Sequence, residues 1–551
     1  MIDVIWLDYK ENNGYWSQAM LKDMFSGDKF VQHRGIGIAD DFKADSGAII
    51  IFHAQDNEGK LERLQSDINK FPWVVLVITG EVTANFPYGK LEHPNMRTWV
   101  MSPQDDFING AETSVRLIPC GYTPKLASLA SYKDKEIDWI YDGQVNNERR
   151  EQMSEQLRNL RDTSGLNCEF MPTAGFSMGH PQTEYYDKMS NSKIAICPSG
   201  VTLDTFRMFE ALELGCIPIV DEQLPGKELP PGYWGWFFKD QVPFPVVSNY
   251  EGLPSYIREW LVDWKAKSNR IYAWWQRYKR NLKLNILSDV KAVSGIDTTE
   301  DVTIIIPTST IPSHPDTAMI EKAVLDARTK LPNSEIIITF DGLTNHFAGR
   351  KDVYDEYIRR VLWKANFEWH NVFPIIFDKP THQVGMARVA LDHVKTPTIL
   401  YVEHDTSICA DIDFGYSWDE LVKTILSGEA NVIRFHHEAY ILPTSKHLMI
   451  GEVEPVNGVP MVRTMEWSQR PHLARTKFYK EMLANNFSPN TYGMIEDHIF
   501  GQVIADCKDN GLMGWYSWRL WIFHPTDGNI KRSYTLDGRK DDPKHDEDYK
   551  Y

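Results

Sequence analysis

Short apolar runs alternate with polar, helix-like stretches at the start of this chain: Val4–Leu7, Ala48–His53, Trp73–Thr79 and Thr98–Met101. That rhythm predicts βα units and a largely parallel sheet. A second series begins at Ile137-Asp-Trp-Ile-Tyr141, passes through a charged helical stretch from Asn147 to Asp162, and continues with Lys193–Cys197 and Cys216–Val220. Two successive α/β domains are therefore expected, joined near residues 125–136. A long helical segment, about Tyr256 to Leu287, closes this half, and Ser288–Glu300 reads as a linker. A third α/β series opens with Val302–Pro307 and runs through Ile336–Phe340 and Thr398–Val402. The charged last residues, Asp537 to Tyr551, are expected to be loosely ordered.

Composition narrows the function classes. At 551 residues the chain is too long for one core. Its 59 Lys and Arg against 76 Asp and Glu leave a formal charge of −17, which argues against non-specific binding to a phosphate backbone. The closing helix interleaves Trp264, Trp274 and Trp275 with Lys and Arg. It reads either as a nucleic-acid surface or as an amphipathic helix packing its Trp face, and the acidic balance favours packing. Six scattered Cys residues, with no close pair, read as reduced thiols of a cytoplasmic protein. Met1–Asp8 reads as a first core strand rather than a signal peptide, and no apolar run approaches the length of a membrane helix.

The third series carries the densest chemistry. The strand Thr398–Val402 runs into Glu403-His404-Asp405 at the carboxyl edge of a buried sheet, where open α/β folds bind ligands. If the strand continues, Glu403 and Asp405 share one face, and two oxygen donors suit a hard divalent cation beside a diphosphate. The plainer reading is a polar strand end. Nearby, Ile304–Pro307 stops at Thr308, Ile336–Phe340 stops at Asp341-Gly342, and Gly385-Met-Ala-Arg388 opens a helical run.

Together these residues resemble an inverting GT-A glycosyltransferase of the kind that opens with an Ile-Pro-Thr strand. The resemblance implies a nucleotide-sugar donor bound by Thr308, Asp341, Arg388 and Glu403, and Mn²⁺ or Mg²⁺ held by Asp405. This sequence has Glu403 where the family usually has Asp. Glu496-Asp497 resembles the acidic pair that supplies the family's general base, implying Asp497 as base with Glu496 orienting the acceptor. His524, after Trp518–Phe523, matches a late His that completes the metal shell in such enzymes. Lys531 and Arg532 are placed to neutralise a departing diphosphate, and His472 to shape the acceptor side.

The second series has its own pattern. Residues 192–221 read as strand, Pro-Ser-Gly turn, helix, Gly215 and a Pro-containing strand. Arg207 and Glu210, three apart, share a helix face near its amino end, where an Arg suits a diphosphate and a carboxylate suits ribose hydroxyls. The run resembles the donor domain of GT-B glycosyltransferases, most nearly the exostosin-like group. That resemblance implies donor binding by Ser199, Gly200, Arg207 and Glu210, with Asp142-Gly143-Gln144 as a facing loop and no metal. Glu81, at a strand end facing the cleft expected for such a fold, is the candidate base of this head.

The expected architecture is α/β throughout: two Rossmann-like domains forming a GT-B module (1–130 for acceptor, 131–290 for donor), then a GT-A domain (300–551). The expected function is a bifunctional glycosyltransferase moving sugars from nucleotide-sugar donors to a glycan acceptor, metal-dependent in its second module. The alternatives are an enzyme acting on hydroxymethylated DNA bases, or one catalytic head with the other a binding module.

Overall fold

Ala48–His53 and Val74–Thr79 are buried along their whole length. Both faces of such strands must be covered, which is why they read as continuous apolar runs rather than as alternation. In this computed structural model they lie at the centre of a six-stranded parallel sheet. Its order is Phe30–Gly35, Ile2–Leu7, Ala48–His53, Val74–Thr79, Met96–Met101, Arg116–Ile118. The structure describes residues 1–536 apart from 9–15, 28, 36, 39–45, 55–58, 81–85, 102–115, 124, 176–177, 298–299, 411–412, 438–439 and 525–530. The expectations for Glu81 and for Asp537–Tyr551 lie outside the described residues. The chain divides into two compact units, residues 1–298 and 299–551.

The first unit holds a second parallel sheet, ordered Val246–Val247, Ile217–Asp221, Ser192–Cys197, Ile137–Gln144, Cys168–Thr173. The helix Glu148–Ser164 starts where the Asn147 side chain accepts from the Arg150 backbone N–H at 3.0 Å, and it ends at Gly165 with φ 68°. The helix Phe206–Glu213 follows the Pro-Ser-Gly turn and stops before Gly215, at φ 61°.

The closing segment differs from the single helix expected. It forms two helices, Leu253–Leu261 and Trp264–Ser294. Asp263 between them has φ 54°, a left-handed conformation that costs roughly 1–2 kcal/mol per residue and cannot continue a right-handed helix. The second helix also runs to Ser294, through the first half of the stretch read as a linker, and ends at Gly295 with φ 72°. Its Trp275 is fully buried and donates to Glu213 at 2.7 Å, while Lys279 pairs with the same carboxylate at 2.9 Å. Trp274 and Trp275 are therefore packed inside the protein and not free to stack on bases.

The second unit is built on a nine-stranded mixed sheet. Four parallel strands come first: Val372–Ile376, Glu335–Phe340, Val302–Thr308, Thr398–Tyr401. His472–Arg475 then pairs antiparallel to Thr398–Tyr401 and to Val432–Phe435, and the sheet continues through Leu520–Phe523, Val459–Thr464 and Met449–Val456. A two-stranded ribbon, Thr406–Ile408 with Ser533–Thr535, follows the acidic turn. The fold is α/β in both units. Among the described residues no helix is long and apolar enough to cross a membrane, and none of the six Cys residues is in a disulfide.

Candidate functional site

In the first unit the functional side chains gather at the carboxyl ends of Ile137–Gln144 and Ser192–Cys197. Asp142-Gly143-Gln144 is the end of a strand rather than the loop expected from sequence. Arg207, buried at 8% exposure, donates to the Asp142 carbonyl at 2.8 Å and lies over the Tyr141 ring at 5.3 Å. Its guanidinium covers Gly143 so closely that a Cβ there would meet Nη2 at 2.1 Å. Glycine here permits the close approach of Arg207 and is not set by backbone angle.

Beside it stands Arg150, a residue that sequence reasoning missed. It is 5% exposed, and its guanidinium donates to the carbonyl oxygens of Ser199 (2.9 Å) and Gln144 (3.1 Å). Burial, and then the Arg207 charge, holds its pKa below the ordinary value. Its neighbour Arg149 is different, with a carboxylate of its own: Nε meets Asp221 at 3.0 Å. Ser199 donates to that same Asp221 at 3.0 Å, and the space above Gly200 leads to Arg150 Nη2, 3.4 Å from a Cβ built there. Carbonyl oxygens satisfy part of each buried guanidinium, and the charges of Asp221 on Arg150 and of Glu210 on Arg207 offset them only in part, so the pair can accept a further anion.

Glu210 is sealed differently. Its carboxylate accepts from Tyr186 Oη at 2.5 Å and Tyr185 Oη at 3.0 Å, and burial pushes its pKa up to about 7 against the pull of those bonds and of Arg207. Asp142 is engaged by His180, at 2.7 Å from Nδ1.

In the second unit the strand stops at Tyr401, so Glu403 and Asp405 lie in a turn and the alternation argument for a shared face does not apply. They are nevertheless close. Burial, and then the Asp405 charge, pushes Glu403 up to about 8, with Glu496 adding to the rise. Gln383 links the group: it donates to Glu403 at 2.5 Å and accepts from Ile495 N at 2.7 Å, at the start of the helix Ile495–Asn510. Glu496 accepts from Gln469 N at 2.9 Å and interacts with Arg470, whereas Asp497 is exposed. Of the acidic pair, Glu496 is the one whose charge acts on Glu403.

Other expected donor residues are engaged in holding the scaffold. Thr308 bonds to Tyr357 Oη at 3.0 Å. The Asp341 carboxylate accepts from the backbone N–H groups of Gly342, Thr381 and His382, at 2.7–3.2 Å, and burial raises its pKa despite those bonds. Arg388 donates to the carbonyls of Leu483 (2.9 Å), Phe487 (2.6 Å) and Ser488 (2.5 Å) around the end of the helix Thr476–Asn486.

His472 corrects an expectation: it is fully buried in a near-parallel ring cluster with Tyr401 and Tyr479, with its pKa lowered to about 4 chiefly by burial, so it belongs to the core and not to an acceptor surface. Arg532 is likewise buried, over the Phe414 and Phe523 rings, and Lys531 is exposed. The strand ending in His524 begins only at Leu520, because Trp518 ends a helix and Arg519 turns left-handed. His524 lies near His436, whose two buried ring nitrogens have no hydrogen-bond partner among the described residues.

Among the described residues no three His, Cys, Asp or Glu side chains are grouped to hold a metal ion. A Mg²⁺ or Mn²⁺ ion on a diphosphate needs only one or two carboxylates. The half-buried Asp405 fits that smaller demand, while His524 is not assembled with it into a full shell.

Over residues 145–293 the sequence matches the family model described as the RXYLT1 C-terminal domain, a xylosyltransferase family. That window contains Arg150, Ser199, Gly200, Arg207 and Glu210. No curated protein matches the sequence. Among solved structures, S. aureus TarS 1-349 is similar at 14% identity and TM-score 0.27, over 43% of this chain and 60% of that one. The same protein in complex with UDP-GlcNAc gives 14% and 0.27, over 43% and 59%. A mannosyltransferase, PcManGT from Pyrobaculum calidifontis, in complex with GDP-Man and Mn²⁺, gives 13% and 0.27, over 42% and 56%. The chain thus spans under two thirds of these structures, and TM-scores this low carry no argument about its fold or site.

Proposed function

We propose that the chain is a glycosyltransferase whose first unit binds the diphosphate of a nucleotide sugar between Arg150 and Arg207. The observation that carries this reading is the pair itself: two adjacent buried guanidinium groups held by carbonyl oxygens, at a sheet's carboxyl edge, inside the segment that matches a xylosyltransferase family. An anion between them relieves their repulsion and leaves as a stabilised diphosphate when the sugar is transferred. Gly143 lets the Arg207 guanidinium lie against the strand end, and the buried Glu210, held by Tyr185 and Tyr186, keeps the helix face behind it in place.

The second unit is proposed as a further transferase head. Asp405 would hold a divalent cation, which supplies charge neutralisation to the donor diphosphate when bound. Glu403 would stand beside that ion, with burial and the Asp405 charge pushing its pKa up to about 8. Glu496, fixed by Gln469 N–H beside this group, takes the acceptor hydroxyl's proton as general base. A glycan is the acceptor class this arrangement suits. The engagement of Thr308, Asp341 and Arg388 in scaffold bonds favours one other reading, in which this unit binds a glycan without turnover.

The test is a hydrolysis and transfer screen over nucleotide sugars with the full chain, with and without Mn²⁺, in parallel with Arg207→Lys and Asp405→Asn. Loss of one product in each variant supports two heads. Loss of a single product only in Arg207→Lys supports one head, and no turnover of any donor contradicts the proposal.

A further inference from the structure

The first unit contains a cavity of about 810 Å³, bordered by the edge strands Met96–Met101 and Arg116–Ile118 on one side and by the helices Tyr233–Phe238 and Trp264–Ser294 on the other. None of the residues assigned to donor binding lines it. Its volume is in the range of small-ligand sites, roughly 300–1,000 Å³.

Two walls of the cavity repeat one arrangement. On the strand side, Asp289 accepts from the Trp99 indole N–H at 3.0 Å and pairs with Arg116 at 2.6 Å. On the helix side, Asp240 accepts from the Trp274 indole N–H at 3.1 Å and pairs with Arg277 at 3.0 Å. Each aspartate therefore fixes one indole and one guanidinium by the same carboxylate. Trp274 is backed by Tyr278, stacked at 6.1 Å and 19°, and both rings meet the edge of Phe238 at 4.9 Å. The aromatic walls are thus held rigid before any ligand arrives, which lowers the ordering cost of binding.

Charge decides what such walls would hold. Both carboxylates already have an arginine, and Arg97 and Lys239 add two further cations to the lining. Arg97 is exposed, with its guanidinium bonded to the Met96 carbonyl at 3.1 Å. The cavity is therefore net positive on a chain whose formal charge is −17. Asn281, Asn285 and Ser288 add neutral hydrogen-bonding groups along one helix. Amides and hydroxyls suit the hydroxyl groups of a sugar, and surplus cations suit an acidic substituent.

We infer that this cavity is a binding site for an anionic saccharide, one bearing a carboxylate or a phosphate, separate from the donor pocket at Arg150 and Arg207. The inference concerns binding alone and stands whether or not the donor reading holds.

Titrating the full chain calorimetrically at low salt with tetragalacturonate, glucose 6-phosphate and maltotetraose tests it. At least one anionic probe binds, maltotetraose binds more weakly, and Arg97→Glu and Lys239→Glu each weaken the anionic probe about tenfold or more, as removal of a charge-assisted contact implies. Arg207→Lys leaves this binding unchanged. Preference for tetragalacturonate assigns a carboxylate ligand, and preference for glucose 6-phosphate a phosphate one. Failure of both anionic probes to bind at millimolar concentration overturns the inference. So does equal binding of maltotetraose, or affinity unchanged in both charge-reversed variants.

Discussion

The carboxyl edge of Ile137–Gln144 gathers cations, Arg150 and Arg207, whereas the carboxyl edge of Thr398–Tyr401 gathers acids, Glu403 and Asp405 with Glu496 beside them. Both are sheet edges of the kind at which α/β proteins bind ligands. If both receive a diphosphate, they must neutralise it in opposite ways. The first supplies positive charge from its own side chains, and the second needs an ion to bridge acid to acid. A metal requirement that divides between the two units is therefore the contrast to break or sharpen.

The largest effect is expected in the acidic group. Glu496→Gln lowers the metal-dependent turnover by about 10²–10⁴, the usual worth of a general base, while Asp497→Asn changes it little. Initial rates of product formation check this, and the reverse ranking would return the base role to Asp497. Next comes Gly143→Ala, whose methyl meets Arg207 Nη2 at 2.1 Å. Displacing a buried guanidinium is overpacking that costs about 1–3 kcal/mol, read as a lower denaturation midpoint together with lost nucleotide binding. Normal stability and binding in that variant would show that Arg207 swings aside freely.

A smaller effect concerns pH. Glu210 has a folded pKa of about 7, raised above the ordinary carboxylate value. The folded state then holds more protons than the unfolded one in between, so this group's contribution to stability is full at acid pH and is lost as pH rises toward and through 7. Glu210→Gln should flatten the decline in melting temperature over that window. An unchanged pH profile would place the titration elsewhere.

Much of the fold was legible because its central strands are buried on both faces, which leaves unbroken runs such as Ile49-Ile50-Ile51 and Val74-Val75-Leu76-Val77. Features that depend on one backbone angle were not. Nothing in the composition of residues 256–287 marks Asp263 as left-handed, and the helix was read through it. Nor does an apolar run reveal that its strand pairing ends at Tyr401, two residues short of Glu403.

The pocket at Arg150 and Arg207, proposed for the donor, is only partly legible in the sequence. Arg207 stood out by its spacing from Glu210, but Arg150 looked like one more cation on a solvated helix. The available signal was its place: third residue of a helix capped by Asn147, directly after a strand that ends in Gly143-Gln144. A side chain there can fold back over the strand end. The tie between Gln383 and Ile495 N, 112 positions apart, had no local signal at all.

The most direct test of the account is calorimetric titration of the full chain with UDP and with GDP, first in EDTA and then in Mn²⁺. The account predicts metal-independent binding of one of them that is lost in Arg150→Ala/Arg207→Lys, and a further Mn²⁺-dependent event that is lost in Asp405→Asn. Absence of any nucleotide binding in EDTA, or its survival in the double arginine variant, would contradict the arginine pocket as a donor site.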